Sequence, residues 1–368
     1  MTTQHIETLI IGAGQAGLST GYHLKQRGRE FLIVDGNDRI GDNWRCHYDS
    51  LRLFTPAWLN CLDGLDFPAE DRWHFPTKDE FADYLELYAL TSDLPVRMQT
   101  RVQRLSQRPD GGYIVDLGGD QITCDNVVLA VGSFGRTPVM PPFADDLDPR
   151  IRQLHSADYH SPEQLLDGPT LVVGASHSGL DIAYELAASR PVTMVGPSRG
   201  AIPFEWGTRL WKLGMPMISF AFQHVLTRCT PLGRKVMGQT RHHGAPQLRV
   251  KERHLVERGA EWVQEHVAGV DTDGRPVLAD ERTFDVANVI WCTGFRHDWR
   301  WVDLPVPMAD GWPVEFRGVV EEIPGLFYCG MWFQYAFSSG EVHGVGRDAA
   351  YLAKQIVARA AAKAPVAA

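Results

Sequence analysis

The chain has 368 residues, enough for two domains, and 44% of them are hydrophobic, as in an ordinary globular protein. Its formal net charge of −9 at pH 7 leaves no basic excess for binding phosphates, which excludes nucleic acid as the default partner. The six cysteines show neither C-x-x-C nor metal-ligand spacing, residues 1–7 are polar, and no apolar run reaches the ~18 residues of a membrane span. We therefore expect a cytosolic chain without a signal peptide, a metal site or a membrane span.

The first predicted elements are a buried strand, a glycine-rich turn and a helix. Residues 8–17 read TLIIGAGQAG, with the G-x-G-x-x-G spacing. In that spacing Gly12 makes the tight turn, Gly14 lets a pyrophosphate approach the backbone, and Gly17 lets the helix pack closely on the strand. A second apolar run ends in Asp35, where a ribose-binding carboxylate is expected. The pattern predicts a dinucleotide site.

Polar and aromatic side chains cluster directly after this second strand. Residues 39–45 read RIGDNWR. Their position predicts a loop that lies along a flavin, with Trp44 near the ring or the ribityl chain. The alternative is a surface loop in which Trp44 fills a local core.

A helix is predicted from residue 77 onward. Thr77 and Glu80 have the spacing of a capping box, in which each side chain satisfies a backbone N–H of the other residue. The aromatic and aliphatic side chains on one face of this helix are expected in the core rather than at a substrate. They are Phe81, Tyr84, Leu85 and Tyr88.

Strands are predicted after this helix. Residues 113–117 lie between pairs of glycines, and residues 126–132 read NVVLAVG, a buried strand that ends in glycine. Prolines and an acidic loop follow and indicate a domain boundary near residue 145.

The nucleotide pattern then occurs a second time. Residues 170–179 read TLVVGASHSG and are followed by a helix-like segment and a strand-like run. That run is followed by Ser198 and Arg199 instead of a carboxylate, so a 2′-phosphate would be bound rather than repelled. The second nucleotide is therefore predicted to be NADPH rather than NADH. The alternative is that both motifs are ordinary tight turns.

The segment between the second motif and residue 265 is predicted to be helical and irregular. Residues 215–226 are apolar but too short to span a bilayer. We expect them to cover a core. A substrate entrance and contact with a membrane surface are the alternatives.

The last part of the chain is predicted to return to the first domain. Residues 284–291 form a predicted strand, and a final strand ends at Gly330. The aromatic segment 331–337 is a candidate substrate-facing wall. His343 precedes the glycine that opens the last helix, where it could donate to flavin or substrate. A purely structural His343 is the alternative.

Together the elements predict an α/β fold of two Rossmann-like dinucleotide-binding domains, the second inserted in the first. The first domain comprises residues 1–145 and 285–368. The second comprises residues 146–284, with a helical insertion around 200–265.

The chain resembles the flavin-containing monooxygenase-like flavoproteins, and among them the bacterial CzcO-type branch of NAD(P)/FAD-dependent oxidoreductases. The resemblance runs nearly end to end, through motifs at 12–17, 41–55, 75–80, 174–179, 293–294 and 344–350. It implies an NADPH-dependent FAD monooxygenase acting on a small apolar or heteroatom-containing substrate. In this family hydride reaches flavin N5, oxygen adds at C4a as a hydroperoxide, and a soft heteroatom or a carbonyl is oxidised, so molecular oxygen is a further partner.

The resemblance also implies which residues contact the cofactors. The predicted FAD contacts are Gly12, Gly14, Gln15, Ala16, Gly17, Asp35, Trp44, Arg45, Val102, Ala130 and Gly330. The predicted NADPH contacts are Gly174, Ser176, His177, Ser178, Gly179, Ser198, Arg199, Thr293 and Gly294. The catalytic candidates are His343 and Asn60.

The sequence departs from the family pattern in two places. Family members commonly carry Asn directly after the residue equivalent to Thr55, where this chain has Pro56, with Asn60 nearby. Of the family signature F-x-G-x-x-x-H-x-x-x-Y, only the spacing of His155 and Tyr159 is kept.

Three alternative functions stay open at this point. The first is an NADPH-dependent flavin reductase or oxidase without productive oxygenation. The second is a disulfide-reductase-like enzyme, for which Cys46 is the candidate thiol. The third is a nucleotide-sensing protein that regulates a partner. A homodimer is compatible with each of them.

Overall fold

Two sheets built mainly of parallel strands form the framework. The computed structural model describes residues 3–202, 204–242 and 246–363. The helices in chain order are α1 (Gln15–Lys25), α2 (Asp42–Arg45), α3 (Lys78–Thr91), α4 (His177–Leu186), α5 (Arg209–Phe220), α6 (Pro231–His242), α7 (Glu252–Glu257) and α8 (Val342–Lys363). The strands in chain order are β1 (Thr3–Ile11), β2 (Phe31–Val34), β3 (Val96–Arg97), β4 (Arg104–Gln107), β5 (Tyr113–Asp116), β6 (Gln121–Leu129), β7 (Thr137–Pro138), β8 (Arg152–His155), β9 (Thr170–Val173), β10 (Val192–Val195), β11 (Glu261–Val263), β12 (Val267–Val270), β13 (Pro276–Leu278), β14 (Asn288–Trp291), β15 (Phe295–Arg296), β16 (Val302–Asp303), β17 (Met308–Ala309), β18 (Trp312–Pro313) and β19 (Leu326–Tyr328).

The first sheet has the order β16-β4-β5-β6-β1-β2-β3, and β19 also pairs with β6. Within it β1 runs parallel to β2 and β6, with Ile11 opposite Val34 and Leu129. β19 runs parallel to β6 as well, with Tyr328 opposite Leu129. Since parallel strands end at one edge of a sheet, the residues that follow them converge there. These residues are Gly12, Asp35, Ala130 and Gly330.

The second sheet has the order β11-β10-β9-β14-β8, and every pair in it is parallel. Val173 lies opposite Val195 and Trp291. The sequence prediction assigned residues 285–368 to the first domain, which is wrong for β14. That strand is apolar and hydrogen-bonds between β8 and β9 in the interior of the second sheet. The other limits of the two domains stay a prediction.

Gly12 and Gly174 take equivalent positions in the two sheets. Their φ angles are +112° and +113°, in the region that favours glycine. A Cβ at Gly12 would overlap the carbonyl oxygen of Ala130, and one at Gly174 would overlap that of Cys292. Both turns therefore require glycine for conformation and for space. The two sheets of mainly parallel strands, together with the helices, confirm the predicted α/β fold class.

The two chain segments that connect the sheets are joined to each other. β7 and β15 pair antiparallel, with Thr137 opposite Arg296. The hydroxyl of Thr293 donates to the carbonyl oxygen of Val139. These bonds hold the two connections side by side.

Two predictions about buried helix faces, one for α3 and one for residues 215–226, can be compared with the structure. Thr77 and Glu80 form the predicted capping box at the start of α3, and the four predicted core side chains of that helix are each 1% exposed or less. The prediction for residues 215–226 is only half right. Met215 is buried, but Met217 is 73% exposed, because just one face of α5 meets the core. No helix in the described ranges is long and apolar enough to cross a membrane.

The glycine at the second turn gives a test of the fold. We expect Gly174→Ala to lower the free energy of unfolding by more than about 3 kcal/mol, because it adds a steric overlap to an unfavourable φ. Gly28 has a φ of +63° with open space around its Cα, so Gly28→Ala is the matched control, expected to cost about 1 kcal/mol. Urea unfolding curves measure both, and equal losses would contradict the overlap.

Candidate functional site

The edge of the first sheet brings a carboxylate to the first glycine turn. Asp35 accepts hydrogen bonds from the backbone N–H groups of Ala13, at 2.7 Å, and Asn37, at 2.9 Å. Beside it Gly14 and Gln15 open α1 and are only partly buried, and the N-cap residue Gly14 offers no side chain to cap the first amides of the helix. An N-terminal helix turn with a carboxylate beside it suits the pyrophosphate and the ribose of a dinucleotide.

Further predicted contacts lie around the same edge. The backbone N–H of Thr100 donates to the carbonyl oxygen of Asp35 at 2.8 Å, which places Val102 two residues away from that bond. On the other side, a Cβ at Gly330 would overlap that of Ala16. The structure therefore gathers residues from five separate parts of the chain at this edge.

Trp44 has an unused donor. Its ring packs edge-on against Phe81, with centroids 4.9 Å apart, so it does fill part of a core. Its buried indole N–H has no hydrogen-bond partner among the described residues. A buried N–H without an acceptor is costly, and an acceptor on a bound cofactor would satisfy it.

Arg45, a predicted FAD contact, is bonded to protein groups. Its guanidinium donates to the carbonyl oxygen of Ile40 at 2.7 Å and to carboxylate oxygens of Asp42, at 3.2 Å, and Asp83, at 2.6 Å. A carboxylate oxygen of Glu86 lies 3.5 Å away. The side chain fastens the loop to α3, because this helix presents two acidic residues to it.

Asn60, a predicted catalytic candidate, bonds to its own loop. It is fully buried, and its amide oxygen accepts from the hydroxyl of Thr55 at 2.7 Å. Its amide N–H groups donate to the carbonyl oxygens of Thr55, at 2.8 Å, and Pro56, at 3.1 Å. Both amide hydrogens are used inside the loop, so Asn60 fixes the shape of the loop.

The second sheet edge repeats the first. Gly174 makes the turn, Ser176 is the N-cap residue of α4, and a Cβ at Gly179 would overlap the carbonyl oxygen of Gly174. Ser178 lies in the first turn of α4 and is partly buried. His177 is held by the protein, since its Nε2 lies 3.1 Å from the carbonyl oxygen of Pro246 and burial lowers its pKa.

The two polar residues after β10 differ in their surroundings. The hydroxyl oxygen of Ser198 accepts from the amide of Gln247 at 3.0 Å and from the N–H of Gly200 at 3.2 Å. Arg199 is exposed, and its guanidinium has no hydrogen bond or ion pair with any residue that the structure describes. Arg199 is therefore a free cation near the second turn.

Other predicted residues serve the connection between the sheets. Thr293 uses its hydroxyl on Val139, and the carbonyl oxygen of Gly294 lies 3.1 Å from Nε2 of His155. The hydroxyl of Tyr159 donates to Glu185 at 2.6 Å. The retained half of the family signature thus has structural partners.

A buried acid–base pair lies where α8 begins. Nε2 of His343 is 3.4 Å from a carboxyl oxygen of Glu341, and the two side chains are 8% and 10% exposed. Neither ring nitrogen of His343 has a hydrogen-bond partner among the described residues. Burial raises the pKa of Glu341 to about 8; burial, then the charge of Arg347, lowers the pKa of His343 to about 4. Near pH 7 both groups are therefore neutral.

The sequence analysis named His343 as a candidate and did not name Glu341, which lies beside it. The available signal was a single carboxylate two residues from His343, between an aromatic segment and a helix start.

The aromatic segment 331–337 itself is largely buried and covered by the helical insertion. Trp332 donates to the hydroxyl of Thr240 at 3.1 Å, and Phe337 packs on Phe222 with ring centroids 4.3 Å apart.

Comparison with known proteins identifies the family. A family profile described as pyridine nucleotide-disulphide oxidoreductase matches residues 9–204, more than half of the chain. The protein named uncharacterized oxidoreductase CzcO-like, from Geobacillus kaustophilus, is 37% identical over 365 residues, which cover 96% of this chain and 99% of that relative. The chain belongs to this oxidoreductase family and to its CzcO-like members. The predicted resemblance and the predicted class of enzyme are confirmed.

Two further comparisons extend this result. A flavin-containing monooxygenase from Stenotrophomonas maltophilia has the same fold, with a TM-score of 0.75 and 23% identity, over 97% of this chain and 99% of that one. The Arabidopsis thaliana protein named probable indole-3-pyruvate monooxygenase YUCCA7 is 27% identical over 322 residues, 78% of this chain and 74% of that relative.

The raised pKa of Glu341 predicts a pH dependence of stability. Between pH 6.5 and 8 the folded chain still holds a proton on Glu341 that the unfolded chain, with a pKa of 4.5, has released. Stability therefore falls as the pH rises through this window, whereas the lowered pKa of His343 acts below pH 6.5. We expect the unfolding free energy to fall by about 1.5 kcal/mol more in the unmodified protein than in Glu341→Gln.

Urea unfolding of the FAD-free protein at pH 6.5 and pH 8 measures this difference. Glu281→Gln is the control, because Glu281 is an exposed residue in a turn. Parallel pH profiles for the unmodified protein and Glu341→Gln would show that Glu341 ionises normally.

Proposed function

We propose that this chain is an FAD- and NADPH-dependent monooxygenase that acts on a small apolar or heteroatom-containing substrate. The observation that carries the proposal is the repeated turn: Gly12 and Gly174 have the same φ and the same overlap with a neighbouring strand. Two such turns, each followed by a helix, fit two dinucleotides.

FAD is proposed at the first turn. Gly12, Gly14 and the first amides of α1 would hold the pyrophosphate, Asp35 the ribose, and the free indole N–H of Trp44 would donate to the cofactor. When bound, the flavin would supply the oxygen chemistry, with electrons from the nicotinamide.

NADPH is proposed at the second turn, with Gly174, Ser176 and Gly179 around its pyrophosphate. Arg199, which has no acidic partner among the described residues, would bind the 2′-phosphate, and Ser198 lies next to it. A guanidinium without a carboxylate partner keeps its full charge for a phosphate.

Glu341 and His343, at the start of α8, would serve the reaction by keeping this buried region uncharged and by holding or accepting a proton. Glu341, neutral near pH 7, can hold and donate a proton, and His343 can accept one. Trp332 is buried and packs against Gly340, the residue before Glu341, where it would limit the access of water. The two comparison proteins that are named monooxygenases support this proposal.

An NADPH oxidase is the second candidate. It is favoured by Pro56, which stands where the family commonly has Asn. It is also favoured by Asn60, because its amide oxygen and both amide hydrogens form hydrogen bonds within the loop. The disulfide-reductase alternative has less support, because the six cysteines show no C-x-x-C spacing.

Rapid mixing distinguishes the two candidates. The FAD-loaded protein is reduced with NADPH and mixed with oxygen without substrate, while flavin absorbance and hydrogen peroxide are followed. A monooxygenase is expected to show a lasting absorbance distinct from oxidised and reduced flavin, with little peroxide. Immediate return of oxidised flavin, with one peroxide per NADPH, would favour the oxidase.

The 2′-phosphate assignment has its own test. We expect Arg199→Ala to weaken NADPH binding by about 1.5–3 kcal/mol, the range for a charged hydrogen bond, and to leave NADH almost unchanged. Rates of flavin reduction across nucleotide concentrations give both values. Arg108→Ala is the control, because Arg108 directly follows β4 of the first sheet and pairs with Asp110. An equal loss for NADPH and NADH would contradict the assignment.

A further inference from the structure

An apolar stripe on α5 faces away from the protein. Its four side chains are between 59% and 79% exposed and recur at intervals of three and four residues, so they lie on one face of the helix. We call them the apolar stripe: Leu210, Leu213, Met217 and Phe220. Single exposed apolar residues are ordinary, but a continuous stripe marks an interaction surface.

The opposite face of α5 fixes the stripe in this orientation. Trp211 is 1% exposed, and its ring lies 5.8 Å from that of Trp73 and 5.3 Å from that of Phe75. Met215 is buried in the same cluster. Because the aromatic cluster anchors this face, the stripe cannot turn into the core without breaking that packing.

The stripe belongs to a segment that has no acidic residue. From residue 206 to residue 251 the sequence contains no Asp or Glu and eight Lys or Arg. The whole chain has 45 acidic residues among 368 and a net charge of −9, so a segment of this length would ordinarily carry five or six of them. In a chain that is otherwise acidic, the segment that carries the stripe is therefore basic.

Part of the positive charge of this segment is not neutralised by an ion pair with a described residue. Arg209, Arg234 and Lys235 are exposed, and none of them forms an ion pair with a residue that the structure describes. Others are neutralised by carboxylates from outside the segment; Arg228, for example, pairs with Glu315. The free cations flank the stripe along the chain, on α5 itself and on the helix that follows it.

We propose that the apolar stripe and its flanking cations dock this chain on an anionic lipid bilayer surface. Apolar side chains on one face of a helix enter the boundary of the acyl chains, while lysine and arginine attract anionic headgroups. A second copy of the chain fits this surface less well, because a two-fold interface would bring together two patches that both carry positive charge. The inference does not depend on the proposed enzymatic function.

Vesicle flotation of the full-length FAD-loaded protein tests the proposal. We expect it to float with vesicles of phosphatidylcholine and phosphatidylglycerol, to float much less with phosphatidylcholine alone, and to be released by salt. Leu213→Ser/Met217→Ser is expected to reduce the bound fraction about tenfold. Leu90→Ser is the matched control, since Leu90 is 78% exposed on α3, outside the segment.

The outcomes are distinct. Loss of binding in the double variant, with the control unchanged and the bound flavin retained, supports the proposal. Absence of binding by the unmodified protein, or equal binding by the double variant, overturns it. If light scattering shows that the double variant dissociates a dimer while no form binds vesicles, the stripe is an interface between copies and the proposal is again overturned.

Discussion

Both halves of this chain depend on the close approach of a glycine to the carbonyl oxygen of the residue that follows the neighbouring strand. At Gly12 and Gly174 no side chain fits between the turn and the adjacent strand. The approach lets each strand pass directly into a helix, so the first amides of that helix face the edge of the sheet. Asp35 follows β2, which pairs with the strand that enters the first turn. Arg199 follows β10, which pairs with the strand that enters the second turn.

Two further features are the paired connections between the sheets and a buried acid–base pair. β7 and β15 pair where the chain passes between the sheets, and Thr293 is fastened to Val139 beside them. At the start of α8, desolvation keeps Glu341 protonated and His343 neutral near pH 7. A buried proton donor beside a neutral imidazole suits chemistry that needs a proton but is harmed by water.

The predictions that depended on local pattern agree with the structure, and those that depended on a remote partner are less successful. The glycine turns and the α3 capping box follow from residue type and spacing. The sequence did not show that Asp83, 38 residues away on α3, accepts from the guanidinium of Arg45. It also did not show that Asn60 bonds to Thr55 and Pro56 of its own loop. No spacing rule shows which of several acceptors a side chain will reach.

The sequence by itself determined the two nucleotide turns, the α/β class, the family resemblance and the segment without acidic residues. Each of these is encoded locally, in backbone freedom, periodicity or charge. Only the tertiary structure decided that β14 lies inside the second sheet, that α5 presents half of its apolar side chains outward, and that Glu341 meets His343. Burial and desolvation depend on what packs around a residue, and that is set by parts of the chain far away in sequence.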